Sequence, residues 1–120
     1  MDILIVDDKN DILTLVKTIF EFEGNSVTTC NNGFSAVDLC RKKKFPVIFL
    51  DLMMEGKDGY STLKDIRQTE ANKESYIIAL TAKAYASDVK EVLEQGFNSH
   101  FAKPFRVNDL LEKLKEASSH

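Results

Sequence analysis

The sequence predicts one doubly wound α/β domain, in which five parallel strands form a sheet with five helices on its two faces. Short apolar runs alternate with longer amphipathic stretches along the whole chain, which is typical of repeated βα units. Most of the short runs are apolar throughout, as expected of strands that helices cover on both faces. The 120 residues, 43% of them hydrophobic, suffice for one core and leave no room for a second. The predicted domain spans residues 1–120.

Five short runs bounded by polar or turn-forming residues are the strand candidates. In chain order they are Asp2 to Val6, Ser26 to Cys30, Val47 to Leu50, Tyr76 to Leu80 and Ser99 to Ala102. The second run is more polar than the others, so this strand is expected at an edge of the sheet.

Between the strands, apolar residues recur at spacings of three and four, which gives each predicted helix one apolar face. These residues are Ile12, Val16, Ile19 and Phe20; Ala36, Leu39 and Cys40; Leu63 and Ile66; Val89, Val92 and Leu93; and Val107, Leu110, Leu111 and Leu114. Gly24 and Gly96 follow the first and fourth patterns, where a left-handed C-terminal cap is expected, and Pro46 ends the second.

Charge and composition argue against several classes of protein. The 16 basic and 19 acidic residues give a net charge of -3, which disfavours direct binding to nucleic acid or to an anionic membrane. The one basic run, Arg41 to Lys44, falls at a helix end, where the helix dipole explains it. No apolar stretch approaches the roughly 20 residues of a membrane span, and no signal peptide is recognisable. We expect a soluble cytoplasmic protein, with Cys30 and Cys40 as reduced, mostly buried thiols.

Three carboxylates stand at the ends of two predicted strands. Asp7 and Asp8 follow the run Ile3 to Val6, and Asp51 follows the run Val47 to Leu50. Because neighbouring parallel strands end at the same edge of a sheet, these side chains are expected to converge on one crevice. Like charges this close raise each other's pKa, so a hard cation such as Mg²⁺ is the best explanation of the cluster. Alone, the first two acids could equally be a helix N-terminal pair.

Two further polar groups follow predicted strands. Thr81 follows the fourth strand, and Lys103 with Pro104 follows the fifth. An acid cluster with a cation, a hydroxyl and an ammonium is the set needed to bind a phosphoryl group from several sides. A carboxylate can itself accept that group and form an aspartyl phosphate. In isolation, Thr81 is equally well explained as a helix N-cap and Lys103 as a surface residue, and only their shared edge favours one site.

Together these residues resemble the receiver domain of two-component response regulators, of which the chemotaxis regulators are an example. The resemblance rests, in chain order, on Asp7-Asp8, Asp51, Thr81-Ala82 and Lys103-Pro104-Phe105. Each dipeptide is common alone, but the ordered set at predicted strand ends is specific, and the resemblance covers essentially the whole chain. It implies a flavodoxin-like strand order of 2-1-3-4-5 and a cytoplasmic phosphoprotein that acts in a phosphorelay.

The resemblance also implies a role for each polar residue of the site. Asp51 would be the phosphoacceptor. Asp8, Asp51 and the backbone carbonyl of Met53 would hold Mg²⁺. Asp7 would complete the acidic shell through a metal-bound water. Lys103 would pair with the acceptor carboxylate before the reaction and with a phosphoryl oxygen after it.

Switching is implied in the same way. Thr81 would turn its hydroxyl toward the phosphoryl group, and the small Ala82 leaves the approach open. Phe101 occupies the family's switch position, although as a Phe it lacks a hydroxyl and would act through ring burial. The face formed by the fourth helix, fifth strand and fifth helix would then change its affinity for a downstream protein target or dimer partner. The donor would be a histidine kinase or histidine phosphotransfer protein, and the chain a switch with at most self-catalysed phosphorylation and dephosphorylation, not an enzyme.

Departures from the family pattern follow the acceptor. Glu55 stands where proline is common, which predicts a looser loop, although the closing Asp58-Gly59 is retained. Met53 and Lys83 occupy the two positions that tune the access of water to the phosphoryl group in this family. His100 has no second ligand nearby and is interpreted as partly exposed and structural.

Three other functions fit parts of the pattern. A flavodoxin-like electron carrier would need glycines and hydroxyls after the first strand, where the acidic run Asp7 to Asp11 repels a phosphate. A phosphatase with an aspartate nucleophile would need a second acid where Met53 stands. A receiver that only docks or dimerises would have no need of the complete set of site residues. Whether the chain is a complete regulator or part of a longer protein is left open.

Overall fold

Strands and helices alternate through the ranges 1–82, 86–103 and 105–119, which are the residues that the computed structural model describes, with only the backbone given for 86 and 87. The strands are β1 (Asp2–Val6), β2 (Ser26–Cys30), β3 (Val47–Asp51), β4 (Tyr76–Thr81) and β5 (Ser99–Ala102). The helices are α1 (Asn10–Phe22), α2 (Gly33–Lys42), α3 (Gly59–Arg67), α4 (Ala86–Glu94) and α5 (Val107–Ser118). All ten predicted elements are therefore present.

The five strands form one parallel sheet in the order β2-β1-β3-β4-β5. This order confirms the prediction from the family resemblance, and β2 lies at an edge as its polar sequence predicts. Val6, the last residue of β1, pairs with Cys30 on one side and with Leu50 on the other, so the neighbouring strands end almost level. Of the helices in the described ranges, none is long and apolar enough to cross a bilayer.

Two strands are one residue longer than predicted, and both extra residues are polar. Asp51 pairs with Leu80 as the last residue of β3, and Thr81 pairs with Ala102 as the last residue of β4. The prediction ended each strand at its last apolar residue, but the backbone ladder continues through the polar one. The sheet therefore places both side chains directly, without an intervening loop.

Helices cover both faces of the sheet, and each face has its own apolar core. One core joins the α1 and α5 faces to the sheet through residues such as Val16, Phe20 and Leu110. The other joins α2, α3 and α4 to the opposite face through residues such as Cys40, Ile66 and Val92. Because alternate residues of a strand point to opposite faces, β1 serves both cores and is fully buried from its second residue onward.

The residues of the helical apolar patterns are buried or half-buried, with two exceptions. Leu93 is 46% exposed, because it follows the inward-facing Val92 by one residue and so points about 100° away. Val107 is 51% exposed at the first position of α5. The predicted glycine caps are confirmed, since Gly24 has φ +90° after α1 and Gly96 has φ +117° after α4.

Candidate functional site

The C-terminal edge of the sheet brings the predicted polar residues together. Asp7 follows β1, Asp51 ends β3 and Thr81 ends β4. The Lys103 N–H donates to the Thr81 carbonyl at 2.8 Å, which carries the β4–β5 pairing one residue beyond β5. Four residues that are scattered along the chain therefore lie at one edge, as the parallel topology requires.

Three carboxylates form a cluster at this edge. One carboxylate oxygen from each of Asp7, Asp8 and Asp51 lies within 4.8 Å of those of the other two. Asp7 is fully buried and Asp51 is 3% exposed, whereas Asp8 is open to solvent. Backbone N–H groups hold the two buried side chains: Lys9 donates to Asp7 at 2.9 Å and Met53 to Asp51 at 3.3 Å. The result is a fixed set of oxygen atoms with one side open.

The electrostatics of the cluster are unfavourable for a buried carboxylate. Burial raises the pKa of Asp51 to about 6, and the charge of Asp7 acts in the same direction. The Lys103 ammonium and the Met53 N–H lower this pKa, but by less. One ammonium therefore does not neutralise the cluster, which is the condition in which an additional cation binds favourably.

Lys103 supplies a buried positive charge, and its contacts refine the sequence-based expectation. Its Nζ lies 2.6 Å from Asp7 Oδ2 and 3.5 Å from Asp51 Oδ2, with 17% of the side chain exposed. Burial opposes protonation, but the hydrogen bond to Asp7 and the charge of Asp51 outweigh it and raise the pKa of Lys103. The family resemblance implies a pairing of Lys103 with Asp51, whereas the closer partner is Asp7, the carboxylate with no access to solvent.

The remaining predicted residues lie around the cluster. Thr81 is 4% exposed and Ala82 is exposed beside it. Met53 points its side chain into solvent, with 71% exposed, while the next residue, Met54, is buried in the core under α2 and α3. Only the backbone of Met53 therefore faces the acid cluster through its N–H. Lys83 and Pro104 lie outside the described residues.

The retained Asp58-Gly59 pair has a packing reason. A Cβ at Gly59 would lie 2.5 Å from the Asp51 carbonyl oxygen and 2.6 Å from the Leu52 Cα, so only glycine allows α3 to begin this close to β3. The Gly59 N–H donates to the Leu52 carbonyl at 3.0 Å, and the Asp58 carboxylate caps α3 by accepting from the Ser61 N–H at 2.8 Å. These contacts close the loop that follows Asp51.

Sequence reasoning gave no role to Lys57, in the same loop. Its Nζ lies 2.6 Å from Asp65 Oδ2 and 2.9 Å from Ser61 Oγ, both on α3. Part of the signal was present in the sequence, because Ser61 and Asp65 are four residues apart on one face of α3 and Lys57 precedes Ser61 by four residues.

Phe101 is half-buried on β5, and its ring is stacked on that of Phe105 with centroids 5.1 Å apart and planes 8° from parallel. His100 beside it is also half-buried, and burial together with the Lys113 ammonium lowers its pKa.

The two cysteines are free thiols, and burial raises the pKa of Cys30 to about 11 and of Cys40 to about 12. Both thiols are therefore protonated at neutral pH, which makes them poor nucleophiles and metal ligands.

Comparisons with known proteins agree with this architecture. A family model described as the response regulator receiver domain matches residues 3–115. The response regulator SaeR of Staphylococcus aureus is 34% identical over 121 residues, an alignment that covers 95% of this chain and 52% of that protein. The chain spans about half the length of the curated relatives it matches.

Similar structures belong to the same group. The chemotaxis response regulator CheY4 of Vibrio cholerae has a TM-score of 0.92 and 28% identity, with 97% of each chain covered. The receiver domain of the sensor histidine kinase PA1611 of Pseudomonas aeruginosa has a TM-score of 0.89 and 31% identity, with 99% of this chain and 98% of that chain covered. The PA1611 domain was solved with a magnesium ion coordinated in its active site cleft.

Proposed function

The chain belongs to the response regulator receiver domain family, whose general function is phosphorylation-dependent switching, and from this premise we propose that Asp51 is its phosphoacceptor. The observation that carries the proposal is the position of Asp51, whose buried carboxylate ends β3 between the other two acids and a lysine ammonium 3.5 Å away. Asp7 is buried in the same cluster, but its carboxylate is already engaged more closely, by the Lys103 ammonium at 2.6 Å and by the Lys9 N–H at 2.9 Å. The proposed domain comprises residues 1–120.

The proposed reaction transfers a phosphoryl group from a phosphohistidine to Asp51. One carboxylate oxygen forms a bond to phosphorus while the N–P bond of the donor breaks, and the imidazole nitrogen keeps that electron pair and takes up a proton. The Lys103 ammonium, already beside Asp51, pairs with a phosphoryl oxygen as negative charge accumulates. The Thr81 hydroxyl, at the end of the neighbouring strand, is the proposed donor to a second phosphoryl oxygen.

We propose Mg²⁺ as the cofactor, because the donor set fits it. The cluster offers three carboxylate oxygens within 4.8 Å of one another, with one residue open to solvent, and Mg²⁺ prefers such oxygen ligands together with several waters. Asp8 and Asp51 are the proposed direct ligands with the Met53 carbonyl, and Asp7, held by Lys103, acts through water. When bound, Mg²⁺ supplies positive charge that balances the acids and the incoming phosphoryl oxygens.

The proposed partners are a histidine kinase or histidine phosphotransfer protein as donor and a downstream protein or dimer partner as target, in the cytoplasm and without direct contact with nucleic acid or membrane. We propose that phosphorylation changes the face of α4, β5 and α5. A groove of about 490 Å³ on this face contains Phe101 and the exposed acids Asp109 and Glu112. The groove also contains Lys113, whose ammonium already donates a hydrogen bond to the Ser99 hydroxyl. Because Asp109 and Glu112 remain exposed, a basic segment of a partner would complement the charge of the groove.

The alternative functions have less support. A phosphatase needs a general acid two residues beyond its nucleophile, and at that position the Met53 side chain is apolar and directed into solvent. The chain is therefore proposed to be a switch that at most catalyses its own phosphorylation and dephosphorylation. A receiver domain that only docks or dimerises differs from the proposed switch in that it takes up no phosphoryl group, which the following experiment tests.

The experiment is incubation with acetyl phosphate and Mg²⁺ followed by intact-mass spectrometry. We expect the wild type to gain one phosphoryl group, Asp51→Asn to gain none, and Asp38→Asn, at an exposed acid on α2, to gain as much as the wild type. Wild-type labelling of Asp51→Asn would overturn the acceptor assignment. The absence of labelling in every variant would support a domain that acts by docking alone.

The switching face is tested separately by NMR, because the chain contains no Trp to report fluorescence changes. We expect beryllofluoride with Mg²⁺ to shift amide signals around Asp51 and also along β5 and α5. Shifts confined to the acid cluster would contradict the proposed coupling.

A further inference from the structure

Lys57 is one of the least exposed lysine side chains of the described residues, although it lies in a surface loop. Only 13% of the side chain is exposed, whereas 42% of its partner Asp65 is. The ammonium makes a 2.6 Å ion pair with Asp65 and a 2.9 Å hydrogen bond to the Ser61 hydroxyl. Both partners belong to α3, so Lys57 ties the loop before α3 to the outer side of that helix.

The same side chain also packs against α2. Its ammonium lies 5.5 Å from the centre of the Phe34 ring, at a distance suited to a cation–π contact. Its Cγ and Cδ atoms lie 3.1 Å from the position that a Cβ on Gly33 would occupy, so the methylene stem lies close against the start of α2. Lys57 therefore bridges two helices and holds the loop between them.

The loop from 52 to 58 has little else to fix its second half. It contains no proline, and Gly56 has φ +84°, a conformation that adds no restraint of its own. Its first half is held by the buried Met54 side chain and by the Met53 N–H on Asp51. Lys57 and the capping residue Asp58 are the described tethers of the second half.

We propose that Lys57 is a positioning residue for the acid site: by anchoring the second half of the 52–58 loop to α3 and α2, it acts together with the Met54 side chain and the Met53 N–H to hold the Met53 carbonyl where Mg²⁺ requires it. This inference rests on the proposed function. The anchor would offset the looser loop that Glu55 predicts at the position where the family resemblance implies a proline. The anchor acts through the backbone, since Lys57 is not itself proposed to contact metal or phosphoryl group.

The charge of Lys57 and its anchoring contacts predict opposite changes in Mg²⁺ affinity when the lysine is replaced. If the lysine acted only as a positive charge near the acids, its removal would strengthen Mg²⁺ binding, because a dication would meet less repulsion. If it anchors the loop, its removal weakens Mg²⁺ binding, because the carbonyl ligand must be ordered at the moment of binding. For Asp65→Asn the charge effect and the anchoring effect both weaken binding, so Lys57→Met is the decisive variant.

The first test is Mg²⁺ titration by isothermal calorimetry without phosphoryl donor. We expect Lys57→Met to weaken Mg²⁺ binding roughly three- to fivefold, the size of a well-formed ion pair, and Lys57→Arg to restore most of the affinity. The matched control is Lys64→Met on α3, an exposed lysine without a described ion pair, which we expect to bind Mg²⁺ at least as tightly as the wild type. Equal or tighter binding by Lys57→Met would overturn the inference.

The second test needs no metal. Hydrogen exchange at the Gly59 amide, which donates to Leu52 and closes the loop, should become roughly three- to fivefold faster in Lys57→Met and stay unchanged in Lys64→Met. Unchanged exchange in Lys57→Met would overturn the anchor. A wild type that takes up neither Mg²⁺ nor label would instead overturn the proposed function, and the exchange experiment would still decide whether Lys57 holds the loop.

Discussion

Asn72 at the N-terminal end of the sheet is as deeply buried as Asp7 at the C-terminal end. The two ends differ in how completely the buried polar groups are paired. The Asn72 amide donates to the carbonyls of Cys40 at 2.6 Å and Lys43 at 2.7 Å. Its oxygen accepts from the Phe45 N–H at 2.7 Å. Each polar atom of this neutral side chain has a partner of matching type.

A second group at the same end completes the contrast. The Arg67 guanidinium donates to the Gly96 carbonyl at 3.0 Å and to the Asn98 side chain at 2.7 Å, and also to the carbonyl of Ser75. It thereby joins the end of α3 to the starts of β4 and β5. At the opposite end, the Lys103 ammonium pairs with Asp7 and Asp51, which are the two buried members of a cluster of three carboxylates. One end is a closed network that stabilises the fold, and the other retains excess charge that a ligand can use.

The largest effect is expected where the closed network is broken. Asn72→Ala leaves several buried backbone groups without partners, and we expect it to lower the free energy of unfolding by roughly 3–4 kcal/mol in urea denaturation. The control is Asn108→Ala, at an exposed position of α5, which should change stability very little. A loss below that of a surface substitution would show that water replaces the Asn72 bonds.

Asp51→Asn should act in the opposite direction, because it removes excess charge from the open end. The folded-state pKa of about 6 exceeds the ordinary value of 3.8, so the folded protein binds more protons between these values and its stability falls as the pH rises through them. The neutral variant escapes this penalty, and we expect a gain of roughly 2 kcal/mol at pH 7 that disappears below about pH 4.

Urea denaturation at several pH values checks this gain, with Asp38→Asn as the exposed control. The pH dependence is the decisive feature. A gain of equal size at pH 4 and pH 7 would mean that the asparagine improves packing rather than relieving a charged cluster.

The two ends also differ in what the sequence could predict. Asp7, Asp51 and Thr81 were found because a parallel sheet fixes where strands end, and polar residues after apolar runs mark that edge. Asn72 gave no such signal, since it lies in an ordinary polar connection and its partners Phe45 and Cys40 precede it by 27 and 32 residues. Such bonds depend on how loops meet in space, which no local pattern contains.

Side-chain geometry within the predicted site was equally beyond the sequence. The order of the strands places Lys103 near both Asp7 and Asp51, but the choice of the closer carboxylate depends on fractions of an ångström. Lys57 was missed for a related reason: the sequence showed a possible pairing with Asp65, and only the fold shows that α2 packs over the lysine stem.

Arg67→Met should cause a smaller loss than Asn72→Ala, because the guanidinium is half-buried and water can satisfy some of its partners. We expect a loss of roughly 1–2 kcal/mol, with Arg67→Lys intermediate because an ammonium lacks the planar set of donors. Arg41→Met, which breaks an exposed pair on α2, is the control and should have almost no effect. If Arg41→Met lost as much stability as Arg67→Met, the Arg67 network would contribute no more than an exposed ion pair, which would contradict the prediction.

Mg²⁺ binding should produce the smallest change in stability, and it should distinguish the two ends of the sheet most clearly. At about five times its dissociation constant it should stabilise the wild type by about 1 kcal/mol, since it binds only the folded site. Arg67→Met should show the same increment in thermal denaturation, because the closed network lies at the far end of the sheet and independent sites add. The stabilisation of Asp51→Asn by Mg²⁺ should be much smaller than that of the wild type. A full increment in Asp51→Asn would place the ion away from the cluster, and a reduced one in Arg67→Met would mean that the closed end helps to hold the open end in shape.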